Sequence, residues 1–518
     1  MRRAVALLLV IVLALSGVGV AAFFIARSVG PSYDPVPIAV PADAPPAQQA
    51  PVASMRSYYE QRVVWRPCGA DQCATMDVPL DYAHPQQESI SLNLVRRPAD
   101  DADHKIGSML VNPGGPGAAG SGVAANAGSY FGRALLRGFD IVGFDPRGTG
   151  RSDPVDCLTD AGLDDYLSAD SEPSSPTQVE HYAEEVRGFG RGCTQLSGRL
   201  ASHISTEETA RDMDVLRAVL GERVISYFGF SYGTELGATY AELFPERVGR
   251  FVLDGGVDPT LSVRDATLTQ AKGFETALRA YVANCLDVTD SCFLGDSVDG
   301  GLQRIRDFLD DLDTRPLDTG TDRPLTQALA ITGIITPLYS REAWIVLSQA
   351  LRAAFDGNGS ALLLLADQYS GRQSDGTFDS NIMEAFPAIS CLDDPSGIKP
   401  SEVPAEYPAF EKASPTFGRA FAWSLITCRD WPPARGVKRQ PLVIDGAGAP
   451  PIVVVGTTRD PATPLEESVA LASQLESGVL VTRDGDGHTG YNSGNDCVDR
   501  AVESYLVEGT VPRDGLSC

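Results

Sequence analysis

The feature that most constrains this chain is a serine held between two glycines, where an apolar strand meets a helix. Residues 229–233 read Gly-Phe-Ser-Tyr-Gly, after the apolar run 224–228 and at the start of a predicted helix over 232–244. Such a turn is so tight that side chains at the two glycine positions would clash. The turn lifts the serine hydroxyl above the sheet edge, where the helix amino terminus favours negative charge. The bare pentapeptide is common, but its position between strand and helix predicts that Ser231 is a nucleophile.

Strands and helices alternate along most of the chain from about residue 60 onward. The predicted strands are 90–95, 108–111, 139–144, 224–228, 251–253, 452–455 and 479–482. A helix is predicted over 212–220, in addition to the one after Ser231. Alternation with nearly continuous apolar strands predicts an α/β fold with a mostly parallel sheet and helices on both faces.

The middle of the chain has a different pattern, with helical stretches such as 268–284 and 345–355 and few strand signals. We interpret it as a helical cap inserted into the α/β core, which would explain a length above that of one simple domain. The expected organisation is a signal peptide or membrane anchor over 1–27, a Pro/Ala-rich linker over 28–55, a first core part over 56–261, a cap over 262–430 and a second core part over 431–518.

The amino terminus predicts export. Arg2 and Arg3 precede an uncharged apolar run over 4–26, which Arg27 ends. The run exceeds a usual signal-peptide core and is long enough for a membrane span. Both a cleaved signal and an uncleaved anchor with the arginines inside remain open. Either one places the rest of the chain outside the cell membrane, secreted or anchored at its outer face.

Cysteine usage agrees with export. All ten cysteines follow the leader, and an even number suits disulfides in an oxidising compartment. Spacing does not fix connectivity, so the simplest expectation pairs neighbours: 68–73, 157–193, 285–292, 391–428 and 497–518. A zinc site is the rival interpretation, and it is disfavoured because Cys68 and Cys73 have no second close pair to complete four ligands.

The chain is strongly acidic, with a formal net charge of −26. Such a surface repels phosphate backbones, so nucleic acid is not an expected partner. In the simplest interpretation these carboxylates keep the protein soluble. In a more specific interpretation, some of them attract a cationic substrate. No metal or organic cofactor is predicted. The oligomeric state is open, with a monomer as the working expectation.

A serine nucleophile needs a base, and His488 is the candidate. Four of the five histidines precede Ser231, whereas the triad of this kind of fold runs in the order Ser, acid, His. His488 is the one that follows, in a glycine-flanked loop after the strand 479–482.

The acid should follow the strand 452–455, and Asp460 lies in the loop after it. Its expected role is to fix the histidine tautomer and stabilise the imidazolium. Asp484 and Asp486 compete in sequence, but they are so near His488 that they are expected to shape its loop instead.

A Gly-rich loop follows the strand 108–111, where residues 112–117 read Asn-Pro-Gly-Gly-Pro-Gly. Gly114 and Gly115 are predicted to offer unobstructed backbone N–H groups to an oxyanion, with the N–H of Tyr232 as the second donor. A phosphate-cradling Walker loop is the alternative, and it would need a Gly-Lys-Ser/Thr sequence that is absent here.

With these residues in place, the chain resembles the tripeptidyl and prolyl aminopeptidase group of secreted actinobacterial α/β-hydrolases. The matching segments span most of the folded chain: 78–82, 112–117, 143–152, 229–234, 428–432 and 460–464. The resemblance implies the α/β-hydrolase fold, the triad Ser231, Asp460 and His488, and the oxyanion hole described above. It also implies cleavage near a free peptide amino terminus.

Substrate-binding residues are unknown from the sequence. Carboxylates that could hold an α-ammonium are Glu235, Glu384, Asp393 and Asp394, each of which is more often structural or solvated. An aminopeptidase is the leading hypothesis, and an esterase or lipase acting on envelope lipids or other esters with the same triad is the alternative. A non-catalytic binding protein is disfavoured by the complete triad. A hydrolase with an Asp nucleophile is disfavoured because a serine occupies the turn at residues 229–233, which is called the nucleophile elbow.

Overall fold

One sheet of ten strands forms the centre of the molecule. The computed structural model describes residues 33–42, 44–289, 291–434 and 442–518. Within these residues the strands are β1 Arg66–Cys68, β2 Asp71–Pro79, β3 Ser89–Arg97, β4 Gly107–Asn112, β5 Phe139–Phe144, β6 Ile225–Phe230, β7 Val248–Asp254, β8 Ile452–Arg459, β9 Gly478–Asp486 and β10 Leu516–Ser517.

Helices surround the sheet and fill the segment between β7 and β8. Those described are α1 Arg56–Tyr59, α2 Gly120–Ala125, α3 Ala127–Tyr130, α4 Arg133–Gly138, α5 Asp160–Ser168, α6 Pro176–Ser197, α7 Thr206–Val219, α8 Tyr232–Leu243, α9 Val263–Val288, α10 Val298–Thr314, α11 Gln327–Ile335, α12 Trp344–Phe355, α13 Ser360–Ser370, α14 Ile382–Asp393, α15 Val403–Ala413, α16 Gly418–Ser424, α17 Leu465–Gln474 and α18 Asp496–Glu508.

The strands lie in the order β1-β2-β3-β5-β4-β6-β7-β8-β9-β10. The pairs from β1 to β3, and β3 with β5, are antiparallel, and all pairs from β5 to β10 are parallel. The chain order reverses at β4, which lies between β5 and β6. Ligands of open α/β sheets bind outside the carboxyl ends of the strands at such a reversal. The predicted mostly parallel α/β-hydrolase sheet is confirmed, with an antiparallel ribbon at one edge.

Side chains of the central strands alternate between two apolar cores, one on each face of the sheet. On β8, Ile452 and Val454 join the core beneath α7 and α8, whereas Val453 and Val455 join the core beneath α2 and α18. Burial on both faces explains why these strands are apolar at nearly every position. The helices on both faces that the alternation predicts are therefore confirmed.

The predicted helix over 212–220 starts earlier than expected, because α7 begins at Thr206. Ser205 accepts from the N–H of Glu208, and the Glu208 side chain reaches back to the Ser205 backbone. This is a capping box, and its Ser-x-x-Glu pattern is visible in the sequence. The edge strands β1 and β2 were not predicted. They are short or half exposed, so their hydrophobic pattern is weak.

The segment between β7 and β8 is helical and has an apolar core of its own. Its described residues contain α9 to α16 and two isolated bridges, with no strand of the main sheet. Buried side chains from five of these helices meet in one cluster, including Leu278, Ile305, Leu329, Leu351 and Leu362. This second core allows the segment to lie over the sheet as a separate layer.

Arg147, in the turn after β5, connects three parts of the chain through buried hydrogen bonds. Its guanidinium is fully buried and makes a two-pronged contact with Asp212 of α7, with both N···O distances 2.7 Å. Its remaining donors reach the backbone oxygens of Pro79, Leu80 and His203. A buried charge is tolerated when all its hydrogen bonds are made. Within the segment over 143–152, Arg147 therefore serves the fold.

The described part of the Pro/Ala-rich segment is extended and lies on the core. Arg250 donates to the carbonyls of Val36 and Pro37 at 2.9 and 3.2 Å, and Arg217 donates to that of Ala47 at 3.0 Å. The main-chain carbonyls of residues 36, 37 and 47 thus fasten this segment to the core. No described helix has the length and apolar character needed to cross a bilayer. The predicted leader over 1–27 lies outside the described residues.

Five disulfides join neighbouring cysteines and leave no cysteine free. The pairs are Cys68–Cys73, Cys157–Cys193, Cys285–Cys292, Cys391–Cys428 and Cys497–Cys518, which confirms the expected connectivity. Cys391–Cys428 fastens α14 to the turn that follows α16.

Candidate active site

Ser231 lies on a strained turn between β6 and α8. Its backbone has φ 55° and ψ −128°, a left-handed conformation that few non-glycine residues adopt. A Cβ at Gly229 would lie 2.3 Å from the carbonyl oxygen of Gly233, and one at Gly233 would lie 2.8 Å from the carbonyl oxygen of Asn112, so both positions need glycine. The Ser231 N–H donates to the Asp254 carbonyl at 2.8 Å, which fastens the turn to the neighbouring strand β7.

Asp460 and His488 meet at the carboxyl ends of the adjacent strands β8 and β9. The imidazole Nδ1 lies 2.8 Å from Oδ1 and 2.9 Å from Oδ2 of Asp460. The carboxylate is fully buried and also accepts the N–H groups of Ala462, Thr463 and Thr489, each at 2.9 Å. These bonds hold the acid in a single orientation toward the ring.

The helical segment contacts His488, the predicted base, directly. The backbone N–H of His488 donates to the carbonyl of Tyr339 at 2.8 Å. The Tyr339 ring stands edge-on to the imidazole, with centroids 5.4 Å apart. Residue 339 ends a single 3-10 turn between α11 and α12, and no sequence signal pointed to it. The base therefore depends on both the α/β core and the inserted helices.

Charge around His488 favours its protonated form. Burial of the imidazole lowers its pKa, but the Asp460 carboxylate, through its charge and its hydrogen bond, and then Asp254 raise it by more. The pKa of His488 thus lies above its ordinary value. A raised pKa means that the imidazolium form of His488 is stabilised, which agrees with the role of base predicted for this residue.

The predicted oxyanion loop lies against the elbow. A Cβ on Gly114 would lie 2.9 Å from Ser231 Cβ and 3.2 Å from the backbone nitrogen of Tyr232. Tyr232 opens α8, so its N–H has no carbonyl within the helix to bond. Only glycine permits so close an approach of the two backbones.

The structure corrects the prediction for Gly114. Its N–H donates to Oδ1 of Asn112 at 2.8 Å and is therefore occupied, because Asn112 folds back over the loop. The Gly115 N–H makes no hydrogen bond within the described residues. The loop thus offers the Gly115 N–H, together with that of Tyr232, for a developing oxyanion.

The competing carboxylates have other partners. Asp484 and Asp486 bind Arg459 at 2.9 and 2.6 Å, so they shape the loop beside His488. Glu384 accepts the N–H groups of Cys157 and Leu158 with one oxygen, at 2.7 and 2.8 Å. These carboxylates are therefore committed to the fold.

Two of the remaining carboxylates lie near the elbow. Asp393 accepts the Thr206 backbone N–H at 3.0 Å and the Thr206 hydroxyl at 2.6 Å, and that hydroxyl is also 2.5 Å from the Tyr232 phenol oxygen. Glu235 follows one helical turn after Ser231. Burial, and then the charge of Asp393, raise the pKa of Glu235 to about 8. Asp394 instead caps its own turn by accepting from Ser396.

The chain is similar in sequence to several actinobacterial proteins with names of hydrolases. Serine protease Hip1 of Mycobacterium tuberculosis is 36% identical over 480 residues, covering 88% of this chain and 91% of that protein. Carboxylesterase B of the same organism is 38% identical, covering 86% of each chain. Tripeptidyl aminopeptidase of Streptomyces lividans is 30% identical, covering 91% of this chain and 89% of that one. A family model described as TAP-like protein matches residues 414–518.

The chain belongs to the TAP-like family of α/β-hydrolases. The match to the TAP-like model covers α17, β8, β9 and α18, the elements that carry or support Asp460 and His488. The full-length likeness extends through β4 and β6, which bring the glycine loop and Ser231. Among the described residues no cluster of three or more His, Cys, Asp or Glu side chains could hold a metal ion.

Proposed function

We propose that this TAP-like protein is an exported serine peptidase that releases short peptides or single residues from peptide amino termini. The observation that carries the proposal is the Asp460–His488 hydrogen bond at the sheet edge where the Ser231 elbow also ends. Relatives named serine protease and tripeptidyl aminopeptidase support the peptidase assignment.

In the proposed mechanism Ser231 attacks the scissile carbonyl and forms an acyl-enzyme. Asp460 receives the Nδ1–H of His488, which leaves Nε2 free to accept the serine proton. The imidazolium then gives that proton to the leaving amine. Water, activated by the same histidine, hydrolyses the acyl-enzyme and restores Ser231.

The tetrahedral intermediate places negative charge on the former carbonyl oxygen. We assign its stabilisation to the N–H groups of Tyr232 and Gly115, with the partial positive charge of the α8 amino terminus behind them. Gly114 contributes by its lack of a side chain. One such donor is worth about 10²- to 10³-fold in kcat.

Recognition of a free amino terminus is assigned to Glu235 and Asp393. Burial and the neighbouring carboxylate keep Glu235 largely protonated at neutral pH, since its pKa is raised to about 8. An incoming ammonium would favour ionisation of Glu235 and relieve the repulsion from Asp393. The helical segment over 262–430, which supplies Asp393 and Tyr339, would then act as a substrate-binding cap.

An esterase is the second candidate, and two observations favour it. Carboxylesterase B is the more identical of the two mycobacterial relatives, at 38%. The wall of the site next to His488 is aromatic, with the rings of Tyr339 and Tyr369 6.3 Å apart. Such a wall suits an acyl chain as well as a peptide side chain.

Export is proposed from the disulfides and the leader together. Five disulfides persist in an oxidising compartment and are rare in the cytosol. Cleavage within the leader would release the protein, whereas retention of residues 4–26 would anchor it at the outer face of the membrane.

Three substrates distinguish the two activities: a free-amine tripeptide arylamide, its N-acetylated twin and a p-nitrophenyl acyl ester. The proposal expects cleavage of the free-amine peptide alone, with Ser231→Ala inactive. Turnover of the ester without either peptide would replace it with the esterase.

The carboxylate assignment has its own matched comparison. Glu235→Gln should raise KM for the free-amine peptide by about tenfold, the loss of one charge-assisted contact of about 1.4 kcal/mol, with little change in kcat. Asp394→Asn is the control, because its carboxylate is occupied within its own turn. Equal effects of both substitutions would contradict the assignment.

A further inference from the structure

Asp254, the last residue of β7, bonds to both halves of the site. Its backbone carbonyl accepts the N–H of Ser231 at 2.8 Å. Its carboxylate accepts two consecutive N–H groups of the histidine loop, from Gly490 at 2.7 Å and from Tyr491 at 2.9 Å. One residue thus holds both the nucleophile turn and the loop that carries His488.

The surroundings of Asp254 are closely packed. The residue is fully buried. A Cβ at the neighbouring Gly255 would lie 3.3 Å from Cε1 of His488, and one at Gly490 would lie 2.6 Å from a methyl carbon of Val455. A carboxylate so enclosed is costly unless it is bonded, and the two amide bonds supply its partners.

The ionisable groups that act on this carboxylate are those of the triad. The pKa of Asp254 is raised to about 6, because burial outweighs the lowering by the Tyr491 and Gly490 N–H groups and by the charge of His488; the charge of Asp460 adds to the rise. On the side of strand β6, Asp254 faces the turn that carries Ser231. The Tyr491 phenol is directed away, toward Glu503.

We propose that Asp254 is a positioning residue. It holds the nucleophile Ser231 and the base His488 in a fixed position relative to each other, and its negative charge stabilises the imidazolium of His488. The inference rests on the proposed triad and extends it, because Asp460 is then one of two carboxylates acting on the same histidine. Asp254 reaches the reacting atoms only through Ser231 and the histidine loop.

The negative charge of Asp254 should shift the pH dependence of activity in a defined direction. A nearby negative charge raises the pKa of a histidine, and Asp254 acts on His488 in this direction. The base must be neutral to accept the serine proton, so activity falls as pH drops through that pKa. Without the charge of Asp254, the acid limb of the profile should move to lower pH.

The test measures the rate at which a fluorophosphonate labels Ser231, from acid to neutral pH, so it does not depend on the identity of the substrate. For Asp254→Asn we expect the acid limb to move down by roughly one pH unit, the scale of one nearby buried charge. We also expect the plateau rate to fall by about 10²-fold, since the amide offers a donor to an N–H and displaces the loop.

Glu384→Gln is the matched control, because Glu384 is also buried and also accepts two consecutive backbone N–H groups, away from His488. Its acid limb should coincide with that of the wild type. A lower plateau for Asp254→Asn with an unmoved limb would reduce Asp254 to a structural residue and overturn the inference.

The wild type supplies a second readout, independent of whether Asp254→Asn folds. The two carboxylates that act on His488 should place the midpoint of the acid limb above the ordinary histidine pKa of about 6.5. A midpoint below that value would overturn the inference. Labelling that survives in Ser231→Ala would instead refute the proposed function.

Discussion

Replacing Asp460 by asparagine tests the centre of the site with little change in shape. Oδ1 of Asp460 accepts the N–H groups of Ala462 and Thr463, and Oδ2 accepts that of Thr489. The amide oxygen of asparagine can replace only one of these atoms. With its oxygen at Oδ1 two bonds survive, and the NH₂ group then faces both the Thr489 N–H and His488 Nδ1.

In that arrangement the NH₂ group donates to Nδ1 and moves the histidine proton to Nε2, the nitrogen that must accept from Ser231. The expected loss in kcat is about 10⁴-fold, as for a triad left in the wrong tautomer. This corresponds to about 5.4 kcal/mol of transition-state stabilisation. The unpaired Thr489 N–H should also lower the free energy of unfolding by about 1–3 kcal/mol.

The assay compares kcat on the best of the three substrates, with circular dichroism and urea unfolding to show that the variant is folded. Asp484→Asn is the control, because Asp484 is largely exposed and its partners are Thr458 and Arg459. Its kcat should remain within about twofold of the wild type, as expected for a surface change. Retention of more than about a tenth of kcat by Asp460→Asn, or an equal loss in Asp484→Asn, would refute the assignment of the acid.

Three further outcomes follow from the same geometry. Ser231→Ala should abolish covalent labelling by a fluorophosphonate, and labelling of another residue at an equal rate would contradict the elbow assignment. The pKa of His488 is raised, so kcat/KM of the wild type should fall with decreasing pH around a midpoint above the ordinary histidine value of about 6.5; a lower midpoint would show that burial outweighs the two carboxylates. Arg147→Met leaves Asp212 buried without its partner, and should lower the free energy of unfolding in urea by about 3–5 kcal/mol, whereas Arg187→Met, in an exposed pair, should cost less than about 1 kcal/mol.

The site residues could be predicted from the sequence because each lies at the end of a predicted strand. Ser231 stands at the change from strand to helix, and Asp460 and His488 each follow an apolar strand. In a parallel sheet, the carboxyl ends of such strands meet at one edge. The apolar pattern of a strand and the glycines of a turn are properties of neighbouring residues. The sheet type and the approximate positions of these residues could therefore be predicted from the sequence.

The sequence did carry one signal that was missed. Asp254 is a carboxylate at the carboxyl end of an otherwise apolar strand, followed by two glycines. A charge in that position is costly unless it is bonded, and its partners lie at residues 490 and 491. A polar residue at a buried strand end therefore marks the site as clearly as the elbow does.

By itself the sequence determined the strand–helix alternation and the nucleophile turn, whereas the cysteine pairs were an expectation that the structure confirmed. The tertiary structure alone decided which groups are free to act. It showed that the Gly114 N–H is occupied by Asn112, that Glu384 serves the backbone, and that Tyr339 holds His488. The physical reason is that burial and hydrogen-bond partners depend on segments far apart in the chain, whereas the period and the turn residues depend only on neighbours.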